Sequence, residues 1–456
     1  MTSVSLASTQ RLPRPTKKSL GHIPGSNGWP IVGNTLQVLA DPKGFVERMA
    51  ATHGPVYRGR VLGEPSITLL GPEANEFFFL DPDKVLSSER GWALVLEQLF
   101  PRGLMLRDFD EHRLHRKALS VAFKAGPMRS YLAALDRGIA SRVAEWKAKP
   151  GDMLFYPAMK QLTLDLAATS FFGGGMGEDA QPVKQAFIDM IAAAITPIRK
   201  PLPFTKMRRG MRGRETIVAI FGRQIPQRRK SNGDDLFSQL CRATDDSGAL
   251  LSTSDVVDHM SFLMMAAHDT LTSSLTSLVW LLAANPEWQE KLREEIDAVG
   301  LPADAPMPFE TLDAMPLTEM AFKEAMRINP PVPSIPRRTL RDVTFAGFRI
   351  PAGTGVNINP LYTHHMPDIW PEPEKFDPLR FTDDAVRARH KYAWVPFGGG
   401  AHMCLGLHFA YMQAKCFTRH LLSDIRVSIA PGYAPAWQMW PIPQPRDGLK
   451  VTVAAR

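Results

Sequence analysis

The run from Ser254 to Ala284 constrains this chain more than any other stretch. It is the longest helical pattern in the sequence, with Ser252, Ser254 and Asp255 as N-cap choices and Asn285-Pro286 as its stop. The pattern is apolar on nearly every side, so the helix must be central and wrapped by others. A membrane span is the competing reading. His268-Asp269-Thr270 breaks the apolar run at its middle and argues against it. Polar residues buried in mid-helix need partners, which makes these three positions candidates for function.

A second feature lies near the C-terminus. Phe397-Gly398-Gly399-Gly400-Ala401-His402-Met403-Cys404-Leu405-Gly406 follows an extended run, Tyr392 to Pro396, and opens a helical pattern from Leu405 to about Leu422. Cys404 therefore sits where a glycine-rich loop enters a helix N-terminus. Backbone N–H groups and the helix dipole there favour a thiolate, the metal-binding form of cysteine. Gly398, Gly399 and Gly400 carry no Cβ, so a flat cofactor can approach the backbone. A lone cysteine beside glycines is more often a small buried hydrophobe; the full spacing shifts the balance.

The three cysteines, Cys241, Cys404 and Cys416, make neither a disulfide framework nor a CxxC pair. This fits a reducing compartment, with the cytoplasm as the expected location. The formal charge, +8 from 54 basic and 46 acidic residues, is scattered along the chain. It hints at an acidic protein partner and gives no nucleic-acid footprint. Met1 to Leu20 is polar, lacks the apolar core of a signal peptide or the long run of a membrane anchor, and reads as a flexible arm. With no composition shift or repeat downstream, the division is an arm over residues 1–22 and one large domain over 23–456.

Several smaller patterns stand out. Phe45 to Thr52 reads as a short helix, and Val56 to Leu70 as a hairpin turning at Gly63-Glu64-Pro65. Leu86 to Arg107 is less periodic and apolar, a loop suited to lining a pocket or to plain core packing. His112 and Arg116 share one helical face. Leu162 to Phe172 and Val183 to Thr196 read as helices broken by Gly173-Gly174-Gly175, and Ile198 to Arg214 as a basic surface loop. Glu324 and Arg327 face the same way on a helix from Leu317 to Ile328, and Arg380 lies downstream in the run Pro371 to Phe381. Arg337, with Arg338 adjacent, begins a strand-like run, and the tail from Ile425 to Val453 reads as short strands.

The aromatic, the glycines, His402, Cys404 and Gly406 in this spacing resemble the haem-thiolate loop of the cytochrome P450 family. Ala266-Ala267-His268-Asp269-Thr270-Leu271 resembles that family's oxygen-binding helix motif, with Ala267 where Gly is usual and Leu271 where a hydroxyl residue is common. Thr272 is the residue that could stand in for the missing hydroxyl. Glu324, Arg327 and Arg380 resemble its Glu-x-x-Arg helix and partner arginine, and Ile23 to Asn34 its proline-rich hinge. The four main motifs fall in the family's order.

The resemblance implies a mainly α fold, one large helical domain with small β-sheets. It implies haem b held by the Cys404 thiolate, with His112, Arg116, Arg337 (or Arg338) and His402 toward the propionates and Ala266, Phe397, Gly398 and Gly406 against the haem. Asp269 and Thr270 are the implied catalytic pair, delivering protons, while His268 reads as a core histidine. Trp92, Met190, Phe262, Val332, Ile335 and Trp440 are the implied substrate contacts, and Ile198 to Arg214 a lid. The expected activity is a monooxygenase that inserts one oxygen atom from O2 into an apolar steroid-, terpenoid- or fatty-acid-like molecule. With no flavin or iron–sulfur motif in the chain, electrons are expected from a ferredoxin-type partner and its reductase, docking near Arg113 and Lys117. A same-fold peroxygenase and a non-catalytic haem-thiolate carrier are the alternatives; the acid–Thr pair argues against the first.

Overall fold

The computed structural model describes residues 19–456 apart from Gly174, Gly175, Ile195, Pro197, Ile198 and Ala303. The expected arm therefore lies mostly outside the described residues; Leu20, near its end, is buried. The central helix spans Thr253–Ala284 and is capped by Ser252, whose side chain accepts from the Asp255 amide at 3.0 Å. It ends at Asn285, before Pro286 starts the next helix. Helices Phe155–Phe172, Lys206–Arg228 and Pro316–Ile328 pack around it. Three of its buried hydroxyls are satisfied one turn back, whereas Ser273 donates to the Pro443 carbonyl and Thr276 has no partner among the described residues. Ser261 donates to the Val257 carbonyl at 2.7 Å, Thr272 to His268 at 2.9 Å and Ser274 to Thr270 at 2.9 Å.

A five-stranded sheet flanks the helical body, in the order Val56–Val61, Glu64–Leu69, Gly355–Ile358, Ile335–Thr339, Leu86–Ser87. The first hairpin turns at Leu62 and Gly63, both at positive φ, so Glu64 and Pro65 belong to the strand rather than the turn. A three-stranded sheet joins Gly151–Leu154 to Lys450–Ala455 and Ile425–Ser428 and ties the end of the chain to its first third. Among the described residues no helix is long and apolar enough to cross a membrane.

Two stretches differ from expectation. Leu86 to Arg107 is not a plain loop. It contains the helix Ser88–Leu96, capped by Ser87, whose side chain accepts from the Arg90 amide at 3.0 Å. Most of the stretch read as a basic lid loop belongs to a 23-residue helix, Lys206–Arg228. Lysine and arginine are good helix formers, and Gly210 and Gly213 are contact points rather than breakers. A Cβ on Gly210 would fall 2.4 Å from the Ala193 Cβ, and one on Gly213 2.5 Å from the Ala186 carbonyl oxygen. The two glycines let this helix lie against Ala180–Ala194.

Candidate active site

The cysteine loop closes on itself. The Cys404 amide donates to the Phe397 carbonyl at 2.8 Å and the Gly398 amide to the Val395 carbonyl at 3.0 Å. Gly398 and Gly400 hold φ of 70° and 59°. The glycines serve protein contacts rather than leaving room for a flat molecule: a Cβ on Gly400 would lie 2.0 Å from the Phe79 carbonyl oxygen, and one on Gly399 3.0 Å from the Phe79 ring. Gly406 differs. A Cβ there would meet only Phe123, at 4.0 Å, so protein leaves this face open. The following helix runs Leu407–Asp424 with Gly406 as its N-cap.

Cys404 has free surface, yet burial is the main cause that pushes its thiol pKa up. A group with both properties borders an enclosed space. The Gly406 amide and Arg116 act in the opposite sense without overcoming burial, so burial outweighs the thiolate preference expected from the helix start. The other cysteines are fully enclosed. Burial pushes Cys241 up to about 12, and Cys416 lies 3.5 Å from Asp136 Oδ1.

Beside the loop four nitrogen-bearing side chains gather. The rings of His112 and His402 stack at 3.8 Å between centroids. Arg116 stands one turn beyond His112 on the helix Phe109–Ser120. Arg337 is buried, with its guanidinium 4.8 Å from the centre of the Phe78 ring. Burial first, then the neighbouring arginines, lower the pKa of His112 to about 4; burial, then His112 and the same arginines, lower that of His402 to about 2. Among the described residues, neither Arg116 nor Arg337 has a carboxylate at ion-pair distance. Arg338 points the other way, donating to the Gly353 carbonyl at 2.9 Å and pairing with Glu64 at 3.5 Å. Of the two adjacent arginines, Arg337 belongs to the group. Gly91 makes room for the strand that carries it: a Cβ there would lie 2.5 Å from the Arg337 Cα. No local pattern in the sequence marks that role.

In the middle of the central helix, Met265, Ala266, Ala267, Asp269 and Thr270 keep free surface while the residues around them are buried. Thr270 Oγ1 donates to the Ala266 carbonyl at 2.6 Å. Asp269 Oδ1 is 2.9 Å from His268 Nδ1 and 3.8 Å from Lys160 Nζ. Burial alone would raise its pKa; His268 and Lys160 outweigh burial and hold the carboxyl below its ordinary range. Thr272 is fully buried, with Oγ1 2.6 Å from that of Thr163, so it faces the neighbouring helix and does not replace the hydroxyl missing at Leu271.

Trp92, Val332, Ile335 and Trp440 are partly open. Met190 has no free surface, and Phe262 is 5% exposed, packed where Gly103 leaves room for its ring. Behind the loop Glu324 accepts from Arg327 at 2.7 and 2.8 Å, with Arg380 Nε at 3.4 Å. Both Glu324 and Arg327 are wholly buried.

Comparison with known proteins accords with this geometry. The family model for cytochrome P450 matches residues 23–451. Cytochrome P450 136 of Mycobacterium tuberculosis is 37% identical over 448 residues, covering 97% of this chain and 90% of that protein. Cytochrome P450 120 of Synechocystis is 32% identical over 434 residues, covering 94% and 96%. The solved structure of retinoic acid-bound cyanobacterial CYP120A1 superposes with a TM-score of 0.85 at 31% identity, covering 98% of this chain and 100% of that one.

Proposed function

The chain belongs to the cytochrome P450 family, and from that premise we propose that it hydroxylates an apolar, isoprenoid- or fatty-acid-like molecule with Cys404 as the axial ligand. The family makes it a haem-thiolate monooxygenase that uses O2. Bound haem supplies the binding and reductive splitting of O2 and the transfer of one oxygen atom to the substrate.

The residues fit that cofactor. His112, Arg116, Arg337 and His402 form a group of N–H donors. Asp81 and Asp108 act on Arg337 from a distance, but among the described residues no carboxylate stands at ion-pair distance from either arginine, and two propionates would complete the group with charge-assisted hydrogen bonds. This is the observation that carries the reading. Cys404 is the one cysteine of the three with free surface, and a thiol bound to a metal loses its proton whatever its pKa beforehand. Gly406 leaves one face clear of protein atoms.

Thr270 would present its hydroxyl on the open side of the central helix once it releases the Ala266 carbonyl, and Asp269 would resupply it with protons. Apolar side chains at Trp92, Val332 and Ile335 favour a hydrophobic substrate and exclude water. CYP120A1 with retinoic acid supports an isoprenoid substrate. A ferredoxin-type protein is the proposed electron donor, and the unpaired cysteines favour the cytoplasm.

The test is a reduced carbon monoxide difference spectrum, followed by product formed per NAD(P)H consumed with retinoids, steroids, terpenoids and fatty acids. A thiolate spectrum with coupled turnover on an apolar substrate supports the reading. Turnover with hydrogen peroxide alone favours the peroxygenase, and no turnover on any class favours the carrier.

A further inference from the structure

His268 is not an ordinary core histidine. Its side chain is 2% exposed, too enclosed for water to relieve either ring nitrogen. Nε2 lies 3.3 Å from the Lys160 carbonyl oxygen and Nδ1 lies 2.9 Å from Asp269 Oδ1. The second contact is an ion-pair approach off the line of a straight hydrogen bond, and neither of its atoms has a hydrogen-bond partner elsewhere. A neutral imidazole carries one N–H. If it is on Nε2, a bare lone pair on Nδ1 confronts a carboxylate oxygen. If it is on Nδ1, a bare Nε2 confronts a carbonyl oxygen. Both nitrogens face acceptors, and only the doubly protonated ring satisfies both.

We infer that His268 is an imidazolium that holds a transferable proton against Asp269, making it the proton store behind the oxygen-side acid. The inference rests on the monooxygenase reading and deepens it. His268 touches no reacting atom; it acts through Asp269. The Nδ1–H bond of His268 breaks and an O–H bond forms on Oδ1 of Asp269, which then passes that proton toward the Thr270 hydroxyl and is a carboxylate again. The ring is left neutral, keeping its Nε2–H on the Lys160 carbonyl. Lys160 Nζ, 3.8 Å from the same carboxylate on a side chain 46% exposed, returns a proton from solvent through Asp269. Reduction of O2 with insertion of one oxygen atom and release of water consumes two protons. One carboxylate here is flanked by two cations, each carrying one. Also near this site among the described residues are the Phe187 ring, edge-on to His268 at 6.1 Å, and Tyr156, which feels Asp269 and whose hydroxyl is engaged with Gln444 at 2.8 Å.

The experiment uses the holoenzyme in its diamagnetic ferrous carbon monoxide form, labelled with ¹⁵N-histidine. The His268 ring signals are identified by their loss in His268→Gln. The expected result is a ring protonated on both nitrogens at neutral pH, reverting to one N–H in Asp269→Asn. In turnover, His268→Gln keeps haem and substrate binding, because its amide can still donate to Asp269. It lowers the rate of product formation about 10-fold or more, since an amide cannot deliver a proton and positioned proton transfer is worth roughly 10²–10⁴-fold. A singly protonated His268 in the wild-type protein, or wild-type rate and coupling in His268→Gln, overturns the inference. Should His268→Gln not fold, wild type against Asp269→Asn still decides it: no histidine losing its second N–H between the two overturns it. Failure of the monooxygenase reading is seen separately, as absence of the thiolate spectrum in the wild-type protein.

Discussion

The imidazole rings of His112 and His402 stack with centroids 3.8 Å apart and planes 29° apart, joining a helix from the first third of the chain to the cysteine loop in the last. Both rings are held neutral by burial and by Arg116 and Arg337. Removing the donors His112 and Arg337 together, as His112→Leu with Arg337→Leu, is expected to speed haem transfer to apomyoglobin at least 10-fold. His402→Arg should retain haem, because a guanidinium supplies the same donors. Haem transfer as slow as wild type in the double variant would remove these residues from propionate binding.

Cys404 is the expected sole axial ligand. Cys404→Ser should abolish the thiolate band of the reduced carbon monoxide complex. Cys241→Ala and Cys416→Ala should keep it, since both sulfurs are enclosed by protein. A thiolate band surviving in Cys404→Ser would sink the assignment.

Thr270→Ala should leave the haem spectrum and substrate affinity intact and divert reducing equivalents into hydrogen peroxide. The Thr270 hydroxyl is occupied by the Ala266 carbonyl at 2.6 Å and must release it to act. Asp269→Asn should slow turnover more than it uncouples it. Product and peroxide measured per NAD(P)H distinguish the two effects, and full coupling in Thr270→Ala would assign the proton donor elsewhere.

Breaking the pair behind the loop should cost stability rather than chemistry. Arg327→Leu strands the Glu324 carboxylate, whose pKa burial already raises against the pull of Arg327. Removing one partner of a buried pair costs about 3–5 kcal/mol. The expected outcome is a lowered thermal midpoint with early haem loss, read by calorimetry alongside the Soret band. An unchanged midpoint would mean that the cluster does not brace the loop.

The surface near Arg113 and Lys117, proposed to receive the electron donor, is unequal. Lys117 Nζ lies 2.5 Å from Asp246, whereas among the described residues Arg113 has a loose 3.9 Å contact with Asp110 and is largely exposed. Arg113→Glu should therefore slow reduction by ferredoxin more than Lys117→Glu, with a weaker salt dependence than wild type. Equal rates at all salt concentrations would move the docking face elsewhere.

What the sequence made legible was local. The central helix, the cysteine loop, the Glu324–Arg327 helix and the adjacency of Asp269 and Thr270 each follow from spacing within about a dozen residues. What it hid depends on partners far along the chain. Nothing near Gly400 announces Phe79, and nothing near Gly91 announces Arg337. His268 read as a core residue because helix spacing gives a direction but no partner. Only the fold shows that Asp269 turns back toward it. Thr272 likewise shares a helix with Thr270 but spends its hydroxyl on Thr163 and the His268 carbonyl. The basic run before Arg214 looked like loop because its lysines and arginines stand among Pro and Met, yet Pro201 and Pro203 precede the helix that begins at Lys206.

The seat of Gly400 under the Phe79 carbonyl also governs the order of assembly. The loop cannot take its shape until a helix made more than three hundred residues earlier is already in place, and the last strand, Lys450–Ala455, must still pair with Gly151–Leu154. Contacts of such wide separation form late in folding, after the local ones. Cofactor capture is therefore expected to wait on the docking of Gly400 against Phe79, a long-range contact, rather than on the local folding of the cysteine loop.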